Sequence, residues 1–246
     1  MIGHPRFEYQ EISSTNDVAK AAILHGVEEG AVFVAAHQTA GRGRRGTSWN
    51  DDAGESVLLT VVLYPKLPMK DVWRLGWISC LAVIDALAAS GIRSACKWPN
   101  DVVVGSNKIA GILIETVPLA NNGYAALLGI GVNVGQRQFD PAVRYRIPPT
   151  SMQLELNGEP PPVSVVSTSI CKSLDALYMA GGGNIEDING RYGAALVTGE
   201  RQSGIDAVTG ERLTGTLKQV RFTDGTAGLE IAGGHLRYAF PDGFGE

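Results

Sequence analysis

The eight residues Ser56–Leu63 (Ser-Val-Leu-Leu-Thr-Val-Val-Leu) constrain this chain more than any other stretch. They are almost wholly apolar and rich in β-branched residues, and Pro65 and Pro68 close them off. A strand with one face in water alternates polar and apolar residues. An unbroken run of this length therefore predicts a central strand covered on both faces. Residues 71–90 supply the first cover: Leu75, Ile78, Leu81, Ala82, Leu87 and Ala88 recur at helical spacing, and Gly91 ends the helix.

The flanking segments mix both periods. Ser14 reads as an N-cap, with Asp17 three positions on completing a capping box; Val18, Ala21 and Ala22 form one face and Gly26 the stop. Such a helix start also offers free N–H groups to a ligand. Residues 31–36 predict a short strand, residues 94–97 another, and residues 102–104 and 108–115 a hairpin around Gly105-Ser106-Asn107. Residues 124–134 predict a further strand, and the proline-rich residues 136–149 no regular structure. Two helices are expected at 163–178 and 185–196, with Gly181-Gly182-Gly183 between them. From about Glu200 the character changes to short β-like runs at 213–220, 227–231 and 236–240, separated by turns at Thr209-Gly210, Asp224-Gly225 and Gly233-Gly234. The pattern is an α+β body, residues 1–198, followed by a small all-β module, residues 199–246.

Composition narrows the function. With 44% apolar and 19% charged residues the chain is an ordinary folded protein, and its formal net charge of −4 leaves no domain-wide basic field to hold a duplex. Cys80, Cys96 and Cys171 are scattered without metal or redox spacing, which suits reduced thiols. No basic-then-apolar leader opens the chain, and no apolar run approaches the roughly 18 residues of a membrane span, so the cytoplasm is the expected compartment and no membrane partner is expected.

Against this background Gly41-Arg42-Gly43-Arg44-Arg45-Gly46-Thr47-Ser48-Trp49 stands out. Glycines let a backbone approach a ligand, and clustered guanidinium groups suit phosphate or carboxylate; a solvated turn is the plain alternative. The stretch matches the dinucleotide fingerprint G-x-G-x-x-G, but residues 47–54 cannot open an apolar helix, so that context fails. Thr47 also stands where a Walker A loop needs lysine. A second constellation, Lys97-Trp98-Pro99-Asn100-Asp101 followed by Lys108-Ile109-Ala110-Gly111, sets two lysines and an acid in apolar surroundings. Such lysines are costly unless they face an anion, and an acid beside a phosphate site suits a Mg²⁺ ligand or an orienting base.

Ser14-Thr15-Asn16, Gln38 with Gly41 to Gly46, Lys97 to Asp101, Lys108 to Gly111 and Gly131-Val132-Asn133 occur in the order and spacing of biotin–protein ligases. The chain resembles that family over roughly residues 8–240. The resemblance implies a mixed-sheet α+β catalytic domain, shared with lipoate–protein ligases, and a small C-terminal SH3-like barrel. It implies condensation of biotin with ATP and Mg²⁺ to biotinyl-5′-AMP, then transfer to one lysine of a carboxylase biotin carrier domain. By the same resemblance Ser14, Thr15 and Gln38 hold the biotin ring head, with Asn16 in the same motif. Gly41, Arg42, Gly43 and Arg44 fold over the intermediate, Arg42 and Arg44 addressing carboxylate and phosphates. Lys108 stands beside the reacting carboxylate, Gly111 lines the biotin slot, and Arg45, Trp49, Lys97 and Asn133 fall to the ATP or adenylate side. Asp101 is the expected metal-orienting or catalytic acid.

Some relatives carry an N-terminal DNA-binding domain; here the first motif arrives at Ser14, so a ligase without repressor function and without DNA is expected. Relatives include monomers and homodimers. The C-terminal run from Phe240 to Glu246 does not align securely with the family's barrel end. Three alternatives stay open at this level: a lipoate or octanoate transferase of the same fold, a nucleic-acid-binding protein using Arg42 to Arg45, and a biotin sensor without catalysis.

Overall fold

The structure is a computed structural model and describes residues 1–120, 122–181 and 185–242. In chain order its elements are β1 (Arg6–Ile12), α1 (Thr15–Ile23), β2 (Val32–Gln38), β3 (Ser56–Leu63), α2 (Trp73–Ala89), β4 (Ala95–Lys97), β5 (Asp101–Val104), β6 (Asn107–Pro118) and β7 (Tyr124–Asn133). There follow α3 (Met152–Glu155), α4 (Val163–Gly181), α5 (Ile185–Ala195), β8 (Arg201–Asp206), β9 (Arg212–Val220), β10 (Ala227–Glu230) and β11 (Leu236–Phe240). Gly182 and Gly183 of the expected break lie outside the described residues, as do the last four of the chain, 243–246.

β3 occupies the expected eight residues and is buried along its whole length. It sits third in a seven-stranded sheet of order β1-β2-β3-β7-β6-β5-β4, where β1 and β2 are parallel and all other neighbours antiparallel. Side chains alternate across a strand, so β3 serves two different environments. Val57, Leu59, Val61 and Leu63 join Leu75, Leu81 and Leu87 of α2 and Ile170 and Leu174 of α4 in the main core. Val62 faces the other way, with Phe33, Ala125, Leu127 and Ala19 and Ile23 of α1, in a smaller cluster. α1 covers only part of that second face.

Residues Met69–Ala89 are long and apolar enough to cross a membrane by composition, contrary to the expectation of no such run. Two thirds of that window is buried inside the fold, which accounts for its apolarity.

β8 to β11 close into a four-stranded antiparallel barrel. One turn of the barrel is wedged into the body. Phe222 meets Trp77 edge-on at 5.7 Å, Trp77 stacks on Tyr192 at 4.2 Å, and Gly225 lies so close to Trp73 that a Cβ there would be 2.6 Å from the indole. The Trp98 indole N–H, from the Lys-Trp-Pro-Asn-Asp motif, lies 3.5 Å from the Gly225 carbonyl. Aromatic contacts of this kind contribute about 0.5–1.5 kcal/mol each beyond their buried area.

Three elements escaped the sequence pattern. β1 is an edge strand whose residues are exposed or half-buried, so Phe-Glu-Tyr-Gln-Glu shows no buried stripe. β8 (Arg-Gln-Ser-Gly-Ile-Asp) is mostly polar because it buries only Gly204 and Asp206. α3 is a single turn, capped where the Leu154 N–H donates to Ser151 Oγ.

Candidate active site

A cleft of about 1280 Å³ opens on the sheet face that α1 leaves bare, walled by the arginine loop, the 97–113 hairpin, the 143–149 segment and the barrel. Its floor is glycine. Gly111 on β6 pairs with Gly131 on β7, and the Trp49 ring lies over both. A Cβ added at Gly131 would come within 2.7 Å of two indole carbons, and one at Gly111 within 3.1 Å of a third. Only a residue without a side chain fits beneath that ring.

The first turn of α1 forms one end of the cleft. Ser14, Thr15 and Asn16 are buried, unusual for polar residues at a helix start. The Thr15 N–H and hydroxyl both donate to Gln38 Oε1, at 2.7 and 3.0 Å. The Asn16 amide donates to Glu115 at 2.5 Å, and the Thr60 hydroxyl lies 2.5 Å from Asn16 Oδ1 and 2.8 Å from Thr15 Oγ1. Asn16 Oδ1 would lie 2.7 Å from a Cβ at Gly129, so that glycine admits the amide. Ser14 has the extended N-cap backbone, but its hydroxyl accepts nothing from the helix. The expected capping box does not form, because Asp17 is taken by Arg42.

The loop is a narrow hairpin. The Gly43 N–H donates to the Thr47 carbonyl at 2.6 Å and the Trp49 N–H to the Gly41 carbonyl at 3.0 Å. Gly41 and Gly43 are required by that width, since a Cβ would lie 2.7 Å from the Trp49 carbonyl and 2.6 Å from the Thr47 hydroxyl respectively. Gly41 faces a smaller hollow behind the loop, whereas the other predicted site residues line the main cleft. Arg45 adopts a left-handed backbone, φ 60°, which costs a non-glycine residue about 1 kcal/mol.

All three loop arginines are held. Arg42 grips Asp17 through both nitrogens at 2.8 and 2.7 Å, and this hydrogen bonding draws the Asp17 pKa below its ordinary value. Arg44 donates to the Asp242 carbonyl at 2.7 Å, and its burial pulls the guanidinium pKa down. Arg45 meets the Asp242 carboxylate at 2.9 Å.

The two lysines differ from each other. Lys108 pairs with Asp101 at 2.6 Å and lies 5.6 Å from the centre of the Trp49 ring. Lys97, expected to face an incoming anion, is instead bonded to Glu200 at the entrance to the barrel; burial lowers its pKa, with Asp101 opposing. Asp101 was the expected metal ligand. Its side chain is buried, with one oxygen on Lys108 and the other 4.0 Å from Arg146, and no group of three or more His, Cys, Asp or Glu that could hold a metal occurs among the described residues. That donor set fits an orienting counter-charge for Lys108 and does not fit a resident Mg²⁺. Asn133 lines the cleft and donates its amide to the Thr150 carbonyl at 2.8 Å.

Sequence reading missed part of the wall. Arg144 and Arg146 come from the irregular segment, and Arg201, Arg212 and Asp242 from the barrel. Among the described residues, seven arginines and two lysines line the cleft against two aspartates. On a chain of net charge −4, that segregation makes a focused positive site suited to a compact polyanion.

Residues 8–133 match the biotin/lipoate A/B protein ligase family. The bifunctional ligase/repressor BirA of Bacillus spizizenii is 35% identical over 134 residues, which are 54% of this chain and 41% of that protein. The biotin–[acetyl-CoA-carboxylase] ligase of Paracoccus denitrificans is 38% identical over 146 residues, 58% of this chain and 60% of the relative. These matches thus span about half the length of the curated relatives. In fold, the chain superposes on the Aquifex aeolicus biotin protein ligase solved with biotin and ATP, with a TM-score of 0.79 over 96% of this chain and 95% of the other, at 24% identity.

Proposed function

The chain belongs to the biotin/lipoate A/B protein ligase family, and from that premise we propose that it activates biotin with ATP and passes it to a lysine of a carboxylase biotin carrier domain in the cytoplasm. The observation that carries the reading is the convergence of motifs from separated segments on one cationic cleft with a glycine floor.

In the first step a biotin carboxylate oxygen bonds to the α-phosphorus of ATP and pyrophosphate leaves. No protein nucleophile is needed; alignment and neutralisation of charge on the phosphate oxygens are. Arg42, Arg44 and Arg45 from the loop and Lys108 from β6 supply positive charge, and Asp101 fixes the Lys108 ammonium. Mg²⁺ enters with ATP as part of the substrate. Ser14, Thr15, Asn16 and Gln38 present a polar pocket for the ureido ring, and Gly111 and Gly131 line the adjoining slot as the flat seat of Trp49. Trp49 and Asn133 serve the adenylate. In the second step the neutral acceptor amine attacks the acyl carbon and AMP leaves, while the glycine-flanked loop shields the adenylate from water.

The test is incubation with biotin, Mg-ATP and a biotin carrier domain, scored by the mass of the carrier. A gain of one biotinyl group with matching pyrophosphate release is expected. No gain with biotin, together with a gain with lipoate or octanoate, would move the chain to the other branch of the family.

A further inference from the structure

Asp242 follows the last barrel strand, and nothing in the reaction above uses it. Its carboxylate is nine-tenths buried in the cleft wall. One oxygen, Oδ2, receives Arg45 of the loop at 2.9 Å and both terminal nitrogens of Arg212 on β9 at 3.0 Å. Its backbone carbonyl receives Arg44 at 2.7 Å. The second oxygen, Oδ1, is buried with no hydrogen-bond partner among the described residues. Two elements far apart in sequence, the loop and the barrel, thus meet on one acid.

We propose that Asp242 is a positioning residue: it clamps the arginine loop onto the barrel and aims the remaining N–H donors of Arg44, Arg45 and Arg212 at the polyphosphate of ATP. A guanidinium carries five N–H donors; the carboxylate takes hydrogen bonds from two of Arg212 and holds Arg45 as an ion pair. Three guanidinium groups around one carboxylate leave a net positive charge, so the clamp does not neutralise the site. Leaving for water would break its pairs with Arg45 and Arg212, so the carboxylate stays and orients when a phosphate arrives. The barrel thereby takes part in nucleotide binding through the loop. This deepens the ligase reading in its ATP arm; the clamp itself stands on the contacts alone.

Two readouts test it. Limited trypsin digestion of the ligand-free protein, followed by mass, reads cleavage after Arg44 and Arg45. Asp242→Asn should speed that cleavage severalfold, while Asp242→Glu, which keeps the charge, stays near wild type; thermal melts show that both variants are folded. In adenylation, Asp242→Asn should raise KM for ATP by about tenfold, the factor carried by one charge-assisted contact, with kcat and biotin affinity little changed. Combined with Arg45→Ala it should cost less than it does alone, because the Arg45 contact is already gone and only the Arg212 contact remains to be lost. Unchanged cleavage in folded Asp242→Asn overturns the clamp. Tighter ATP binding in that variant also overturns it, since Asp242 would then be a competing counter-ion. If wild type makes no adenylate, the ligase reading falls and the digestion still decides on the clamp.

Discussion

Gly131→Ala tests how closely Trp49 seats on the cleft floor. The added methyl would stand 2.7 Å from two indole carbons, and carbon atoms need about 3.5–4.0 Å, so something must move by roughly 1 Å. β7 cannot move easily, because Gly131 pairs with Leu58 on β3 and with Gly111 on β6 in the middle of the sheet. Trp49 is at the end of a loop and can. Overpacking in a rigid core costs about 1–3 kcal/mol, and here the strain falls on the closed loop rather than on the fold. Melting should therefore change little, by about 3 °C or less. Affinity for biotin and ATP, read by calorimetry, should fall by about tenfold or more if the closed loop loses that 1–3 kcal/mol. A double-mutant cycle isolates the cause: with Trp49→Ala in place, adding Gly131→Ala should do little further harm. Full additivity, or unchanged binding in the single variant, would refute a tight seat of indole on glycine.

Three further outcomes are expected. Arg44→Ala should leave the fold intact and cut adenylate formation by about a hundredfold, as loss of a charge-stabilising donor does; full activity by pyrophosphate release would remove the loop from its central place. Asp206 is held to a pKa of about 2, chiefly by the Thr209 and Val208 N–H groups at 2.8 and 2.9 Å and then by Arg237. A lowered folded pKa gives stability that is present above the ordinary 3.8 and lost as pH falls towards 2, so Asp206→Asn should melt earlier at pH 7 and the gap should close by about pH 2. His37, at one end of the loop, bonds Asp51 at the other at 2.8 Å, which raises its pKa above 6.5. The raised value makes the clasp strongest below pH 6.5 and weaker as pH rises through it; the rate of loop proteolysis in Asp51→Asn should differ from wild type most at pH 6 and least at pH 9.

What could be read beforehand follows from the range of the interactions. β3, the 105–107 turn and the main helix are local patterns, and all three occur where expected. The loop and the Lys-Trp-Pro-Asn-Asp motif are also local, and their meeting in one cleft needed the family resemblance. Pairings between distant residues left no local mark. Lys97 with Glu200, Arg42 with Asp17 and Arg45 with Asp242 each join charges from separate elements, and each is invisible in a linear pattern. Ser14 shows the converse, since its local cap signal is genuine in backbone shape and unused in hydrogen bonding.

Thr60 is the one interior polar residue in the run that fixes the sheet, and it explains how fold and site share a strand. An unbroken run reads as two apolar covers, and all eight residues are indeed buried. On the α2 side the cover is the main apolar core. On the other face it changes along the strand: Val62 lies under α1, Thr60 under the side chains of Thr15 and Asn16, and Leu58 at the cleft beside Gly131. β7 repeats the progression, with Leu127 under α1, Gly129 under Asn16, Gly131 under Trp49 and Asn133 at the far end. Apolar packing thus grades into a polar pocket and then a ring-shaped slot along strands whose other faces are anchored in the main core. A rigid sheet with one finished face holds the second open for a ligand without losing its register, which is what the alignment of two substrates requires.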